Sequence, residues 1–249
     1  MNSFIPWIGG KSRLREQIIS HFPDNVQRYI EVFGGAGWVL FARDCHTTHE
    51  VFNDIDGQLV NLYRCIKHHR EELQRELSHA LNSRELFFDA IEQLNTRGMT
   101  DIQRAAHYYL IIRASYGADR RSFGMVGRNI SKTLEHLPEI ERRLERVVIE
   151  NRDFGSILKA YDKSGSLFYL DPPYYAAERH YDATFTVDDH RRLRDLLGRI
   201  KGKFVLSYND CTFVRDLYDG FGIYSVKRSN NLANKVGGGN VYGEIIIKN

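Results

Sequence analysis

The sequence predicts an α/β protein, with one sheet assembled from both ends of the chain and a mostly helical module inserted between them. Three observations predict it. Residues 1–56 alternate short apolar runs with glycine-rich turns, the texture of a β-loop-α-β opening to a parallel sheet. Residues 57–146 change to helical periodicity. From Val147 the short apolar strands return.

Taken in order, Arg28-Tyr29-Ile30-Glu31-Val32 reads as a strand running into a Gly-rich loop, and Trp38-Val39-Leu40-Phe41-Ala42 as the start of a helix. Glu50-Val51-Phe52-Asn53 reads as the next strand, ending at Asp54. Leu59, Leu62, Tyr63 and Ile66 then fall at i, i+3, i+4 and i+7, one face of a helix, and Ala105, Tyr108, Tyr109 and Ile112 repeat the pattern. In the polar stretch between them, Phe87, Phe88, Ile91 and Leu94 keep helical spacing. Residues 114–133 break the periodicity. They are rich in Gly, Arg, Ser and Asn, and read as a basic loop or a small irregular hairpin. Val147-Val148-Ile149-Glu150-Asn151, Leu167 to Leu170, Phe204 to Ser207 and Glu244 to Ile247 read as four further strands. A charged helix from Val187 to about Ile200 separates the second from the third.

The bulk properties narrow the class. A chain of 249 residues with 42% hydrophobic and 27% charged residues can bury a substantial core. No apolar run approaches the ~20 residues of a membrane helix, and the N-terminus has no charged and then apolar leader, so a cytoplasmic location is the default expectation. The three cysteines, Cys45, Cys65 and Cys211, form no CxxC pair, which argues against a disulfide framework or a structural zinc site; no metal is expected. A net charge of +3 permits a polyanionic partner without demanding one. Local clustering says more: Arg113, Arg120, Arg121, Arg128 and Lys132 are opposed only by Asp119. They are the candidate contacts to such a polyanion, and a solvated face is the alternative.

The strongest chemical signal is Asp171-Pro172-Pro173-Tyr174, directly after an apolar strand. Two prolines end the ladder in a rigid extended turn, at the sheet edge where open α/β folds bind ligands. That pairing suits transfer to an exocyclic amino nitrogen, whose lone pair is delocalised into its ring. Asp171 can accept one N–H and the Pro172 carbonyl the other, returning electron density to nitrogen, while Tyr174 stacks on an extruded base. Glu31-Val32-Phe33-Gly34-Gly35-Ala36-Gly37 is a strand-to-helix glycine loop that lets a ligand approach the backbone. Asp54, at the end of the following strand, is placed to bind ribose hydroxyls, with a helix N-cap as its alternative role. Gly10-Lys11-Ser12 looks like the tail of a P-loop, but Ile5 stands where that motif needs glycine. What remains is Trp7, a glycine pair and Lys11, which could anchor a carboxylate.

The order of these motifs resembles the Dam-type (D12 class, alpha arrangement) DNA adenine-N6 methyltransferases over nearly the whole chain, from about Ile5 to Ile247. The resemblance implies a Rossmann-like S-adenosylmethionine (SAM)-dependent methyltransferase sheet, residues 1–56 and 147–249, with an inserted DNA target-recognition domain, 57–146. It implies that Trp7 and Lys11 contact the methionine end of the cofactor. Phe33, Gly34, Gly35, Ala36 and Gly37 would form the cofactor loop, Asp54 would bind ribose, and Asp153 and Phe154 would lie beside the cofactor adenine. Asp171 would border the cofactor and serve the target base, Tyr174 would serve that base, and Phe204 to Asn209 would be the strand supporting that pocket. Double-stranded DNA is the implied partner, with room for a cognate restriction endonuclease and for a monomer or weak dimer. Relatives that read GATC carry Asn-Gly-x-x-Arg-Tyr/Phe-Asn in the insertion. The segment here is Ser115-Tyr116-Gly117-Ala118-Asp119-Arg120-Arg121-Ser122-Phe123-Gly124, which keeps Gly117 and Arg120 but lacks the asparagines, so GATC is not implied. Residues 175–182 read as a loop, with Tyr175 and Tyr181 as packing or base-contacting rings. The alternatives are a cytosine-N4 or RNA amino methyltransferase, for which Ser-Pro-Pro-Tyr is the usual cytosine form, and a catalytically silent DNA-binding homologue.

Overall fold

A computed structural model of the protein describes residues 1–43, 49–124, 133–176, 185–226 and 243–249. Its strands are β1 (Arg28–Glu31), β2 (His49–Asn53), β3 (Val147–Glu150), β4 (Ser166–Leu170), β5 (Lys203–Asn209), β6 (Gly222–Val226) and β7 (Glu244–Lys248). They form one sheet in the order β3-β2-β1-β4-β5-β7-β6. Neighbours from β3 through β5 pair in parallel, while β7 runs antiparallel to both β5 and β6. This is a mixed α/β protein with a Rossmann-like, mostly parallel sheet. The expected strands are all present, each within a residue or two of its expected limits.

Two layers cover the sheet, and strand alternation decides what meets each. Tyr29, Phe52, Tyr169, Val205 and Ile246 face one core. Against it pack α1 (Arg15–Ile19), α2 (Trp38–Ala42) and the helices that follow β2. These are α3 (Gly57–His68), α4 (Arg70–Ser78), α5 (Arg84–Gln93), α6 (Asp101–Ala114) and α7 (Leu137–Leu144). Ile30, Val51, Phe168, Leu170, Leu206 and Ile245 face the other core, with α8 (Phe154–Tyr161), α9 (Val187–Leu197) and α10 (Thr212–Leu217). Helix starts follow the polar residues before them. The Asp56 carboxylate accepts the Gln58 and Leu59 N–H groups, and Thr100 and Thr186 form capping boxes with Gln103 and Asp189.

Of the loop or hairpin expected at 114–133, residues 125–132 lie outside the described residues, and 115–124 close into a short hairpin. Ser115 bridges Phe123, the Tyr116 N–H donates to the Ser122 carbonyl at 2.8 Å, and the Gly124 N–H to the Ala114 carbonyl at 2.7 Å. Several elements have no counterpart of their own in the sequence reading, β6, α1, α4, α7, α8 and α10 among them. β6 is an edge strand with one fully buried residue, Val226, so it carries no apolar run. α4 buries only Leu73 and Leu77 in a run of charged residues. Among the described residues no helix is long and apolar enough to cross a membrane. Cys65 and Cys211 are free thiols, and Cys45 lies outside the described residues.

Candidate active site at the sheet switch point

Strands β1 and β4 are neighbours, but the chain leaves them toward opposite edges of the sheet. Their C-terminal ends therefore open a crevice, the place where such sheets bind ligands. The glycine loop leaves one strand and the Asp-Pro-Pro-Tyr corner leaves the other.

The loop is held from beneath. Gly35 and Gly37 adopt left-handed φ values of 50° and 64°, which cost a side-chain-bearing residue strain that glycine avoids. A Cβ on Gly34 would lie 2.2 Å from the buried Phe52 ring. Asp54 Oδ2 accepts the Gly35 N–H at 2.8 Å and its Oδ1 the Asp56 N–H at 2.9 Å. Burial raises the Asp54 carboxyl to about 6, against the pull of those two backbone donors. Asn53 laces the strand ends together: its Nδ2 donates to the Val32 and Arg152 carbonyls at 2.9 and 3.0 Å, and its Oδ1 accepts the Arg152 N–H at 2.9 Å. The Tyr63 hydroxyl adds a bond to the Gly35 carbonyl at 3.1 Å.

Above the loop lies a cavity of about 510 Å³. Trp7, Lys11, Glu31, Phe33 to Gly37, Asp54, Arg120, Asp171 and Pro173 line it, and Ile91, Leu94, Tyr108 and Ile111 of the helical segment close its far side. Glu31 is the residue that sequence reasoning left without a role. It is 2% exposed, accepts the Tyr29 hydroxyl at 2.7 Å, and burial raises its carboxyl to about 8. The available signal is a glutamate at the end of β1, between Ile30 and Val32 and on the same face as Tyr29.

At the corner both Asp171 oxygens are engaged. Oδ2 accepts from Lys11 Nζ at 2.7 Å, and Oδ1 accepts from the Ser207 hydroxyl at 2.8 Å. Lys11 is 5% exposed, also donates to the Gly9 carbonyl at 2.8 Å, and sits 4.8 Å from the Tyr174 ring centroid. Burial favours the neutral amine, but the carboxylate beside it outweighs this and holds the ammonium above its ordinary range. Tyr174 stacks on Tyr208 with centroids 6.0 Å apart, and Tyr208 is hydrogen-bonded to the buried His190 ring. Pro172 is buried. Tyr175 stacks on Phe213 at 4.1 Å.

The structure brings together most residues singled out from sequence. Trp7, Lys11, Phe33, Gly34, Gly35, Ala36, Gly37, Asp54 and Asp171 all border the cavity, although the Lys11 ammonium is directed at Asp171. Asp153 and Phe154 are not among the residues lining this cavity, although Phe154 touches Phe33, which is. Asp153 caps α8 through the Gly155 N–H and pairs with Arg192, while Phe154 packs on Phe33 and Phe185 under the Arg192 guanidinium. The basic residues separate as well. Arg113 is half-buried on α6 with Nη1 3.5 Å from the Phe4 carbonyl, Arg120 lies in the cavity wall, and Arg121 is exposed at the hairpin tip. Arg128, Lys132, Tyr181 and residues 177–182 of the loop lie outside the described residues. Among the described residues no cluster of His, Cys, Asp and Glu is suited to a metal ion.

A carboxylate and an aromatic ring, fixed beside a glycine-lined cavity at the switch point of a Rossmann-like sheet, are the equipment of a methyltransferase. The family can be named more closely. The model for the D12 class N6 adenine-specific DNA methyltransferases matches residues 7–232, and the chain belongs to that family. It is 27% identical over 266 residues to a DNA adenine methylase of Vibrio cholerae serotype O1, covering 98% of this chain and 94% of that protein. Identity to the type II methyltransferase M1.LlaDCHI of Lactococcus lactis subsp. cremoris is 26%, covering all of this chain and 95% of that one. A viral relative, the type II methyltransferase M.CviBI of Paramecium bursaria Chlorella virus NC1A, is 24% identical, covering 89% and 88%.

Proposed function

We propose that this adenine-specific DNA methyltransferase takes its methyl group from SAM, bound in the glycine-lined cavity, and delivers it to N6 of an adenine extruded from duplex DNA at the Asp171 corner. The observation that carries the reading is Asp171 itself, held between Lys11 and Ser207 at the cavity rim. The cavity suits the cofactor chemically. Glu31 and Asp54 line it with two carboxyls that suit an ammonium and ribose hydroxyls, Trp7 offers an aromatic wall, and the glycines leave the backbone open. When bound, SAM supplies an electrophilic methyl group on sulfonium. The protein supplies position and electrostatics. Asp171 accepts an N6 hydrogen and raises electron density on nitrogen; the Pro172 carbonyl accepts the other; Tyr174, backed by Tyr208, supports the base by stacking.

Residues 57–146 form the target-recognition domain in this reading, with the 115–124 hairpin presented to DNA. A monomer or weak dimer acts on double-stranded DNA, and a restriction endonuclease is the partner that such a modification protects against. Incubation with unmethylated duplex DNA and methyl-labelled SAM, followed by digestion to nucleosides, tests the reading. Label is expected in N6-methyldeoxyadenosine. Label in N4-methyldeoxycytidine, or none in DNA, would contradict it.

A further inference from the structure

Arg120 stands in the basic run that sequence assigns to DNA, yet its guanidinium belongs to the cavity. Its Nη1 donates to Asp56 Oδ2 at 3.1 Å and to the Tyr108 hydroxyl at 2.6 Å. The group also lies over the Trp7 ring, 4.5 Å from its centroid. Trp7 in turn lies against the glycine loop, since a Cβ on Gly35 would be 2.9 Å from Trp7 Nε1. Arg120 is thus bonded to the cap of α3 and stacked on a cavity wall, while its backbone belongs to the exposed hairpin.

That backbone is strained. Ala118 and Arg120 have φ values of 63° and 59°, a left-handed conformation that strains residues bearing a Cβ. Such a conformation persists only where other contacts over-determine it. The Asp119 carboxylate supplies some, accepting the Arg121 and Ser122 N–H groups at 2.9 and 3.0 Å. The backbone bonds that close the hairpin supply others, and the grip of Arg120 on Asp56 and Tyr108 adds to them. Tyr116 and Arg121, both exposed, sit on the same turn.

We propose that Arg120 is a positioning residue that links the recognition hairpin to the cofactor pocket, so that cofactor and DNA each tighten the binding of the other. The proposal rests on the reading of the cavity as the SAM site. Coupling of this kind is reciprocal, so it can be read from the cofactor side alone.

The test is titration of S-adenosylhomocysteine into the full chain, with and without sheared unmethylated genomic DNA. Wild-type protein should bind it, and more tightly with DNA present. Arg120→Ala should weaken cofactor binding about fivefold or more in the absence of DNA and bring the ratio of the two dissociation constants toward one. Arg121→Ala should lower DNA affinity and leave DNA-free cofactor binding unchanged. Asp56→Asn keeps a capping side chain but loses the charge; it should weaken cofactor binding in the same direction, and the double variant should lose less than the sum. Thermal melting of each variant establishes that it is folded. If wild type binds no S-adenosylhomocysteine, the cofactor reading fails. If wild type binds and folded Arg120→Ala binds equally well without DNA, or if DNA leaves wild-type affinity unchanged, the link through Arg120 is overturned.

Discussion

Replacing Lys11 by Met tests how the Asp171 corner is held. The ion pair with Asp171 is 2.7 Å long, and its side chains are 5% and 18% exposed. At an effective dielectric of about 20, opposite charges at 2.7 Å attract by about 6 kcal/mol. Desolvation of both groups takes back several kcal/mol, which leaves a net coupling of about 2–4 kcal/mol. Removing one partner costs more than that coupling suggests, because the remaining charge stays buried. Lys11→Met and Asp171→Asn should therefore each destabilise by about 3–5 kcal/mol. The double variant should lose much less than the sum of the two. Urea denaturation of the four proteins at pH 7 measures the cycle. Losses below about 1 kcal/mol for each single variant, additive in the double within about 0.5 kcal/mol, would refute the argument. Lys11→Met should also move the acid limb of the rate profile to higher pH, because the carboxylate loses the cation that favours its ionised form.

Glu31 makes a prediction with a definite sign. Burial raises its carboxyl from 4.5 to about 8, so between those values the folded protein binds a proton that the unfolded chain releases. Stability should fall as pH rises through that window. Glu31→Gln should flatten this part of the curve, and parallel urea midpoints for the two proteins from pH 5 to 9 would show that Glu31 does not titrate in this way. Ser207→Ala removes the donor 2.8 Å from Asp171 Oδ1. A hydrogen bond to a charged group is worth about 1.5–3 kcal/mol, so kcat should drop by roughly ten- to a hundredfold with the dissociation constant for S-adenosylhomocysteine unchanged. A weakened cofactor affinity with kcat intact would place Ser207 in the wrong role.

The parts of the fold legible in the sequence are those fixed by local rules. Glycines before α2 and the paired prolines after β4 constrain the backbone whatever surrounds them. The buried strands announce themselves as apolar runs, whereas β6 has one fully buried residue and does not. The contacts that organise the site are different in kind, because they join residues far apart in the chain. Lys11 and Asp171 are 160 positions apart. Arg120 and Asp56 are 64 apart, and nothing in a run of arginines marks one of them as part of a cavity wall. The pairing of Asp153 with Arg192, 39 positions away on a charged helix, is equally invisible in the sequence. Ser207 and Glu31 lie within expected strands and become meaningful only once β1, β4 and β5 are side by side.

The central claim is that Asp171 carries the chemistry without carrying cofactor affinity, and single-turnover methyl transfer by Asp171→Ala tests it most directly. With enzyme in excess over unmethylated duplex DNA and labelled SAM at saturation, the rate of label entering adenine should fall by about two to three orders of magnitude or more, as expected when a preorganised electrostatic partner is removed. Binding of S-adenosylhomocysteine by the same folded protein should survive. A transfer rate within a few-fold of wild type would contradict the account.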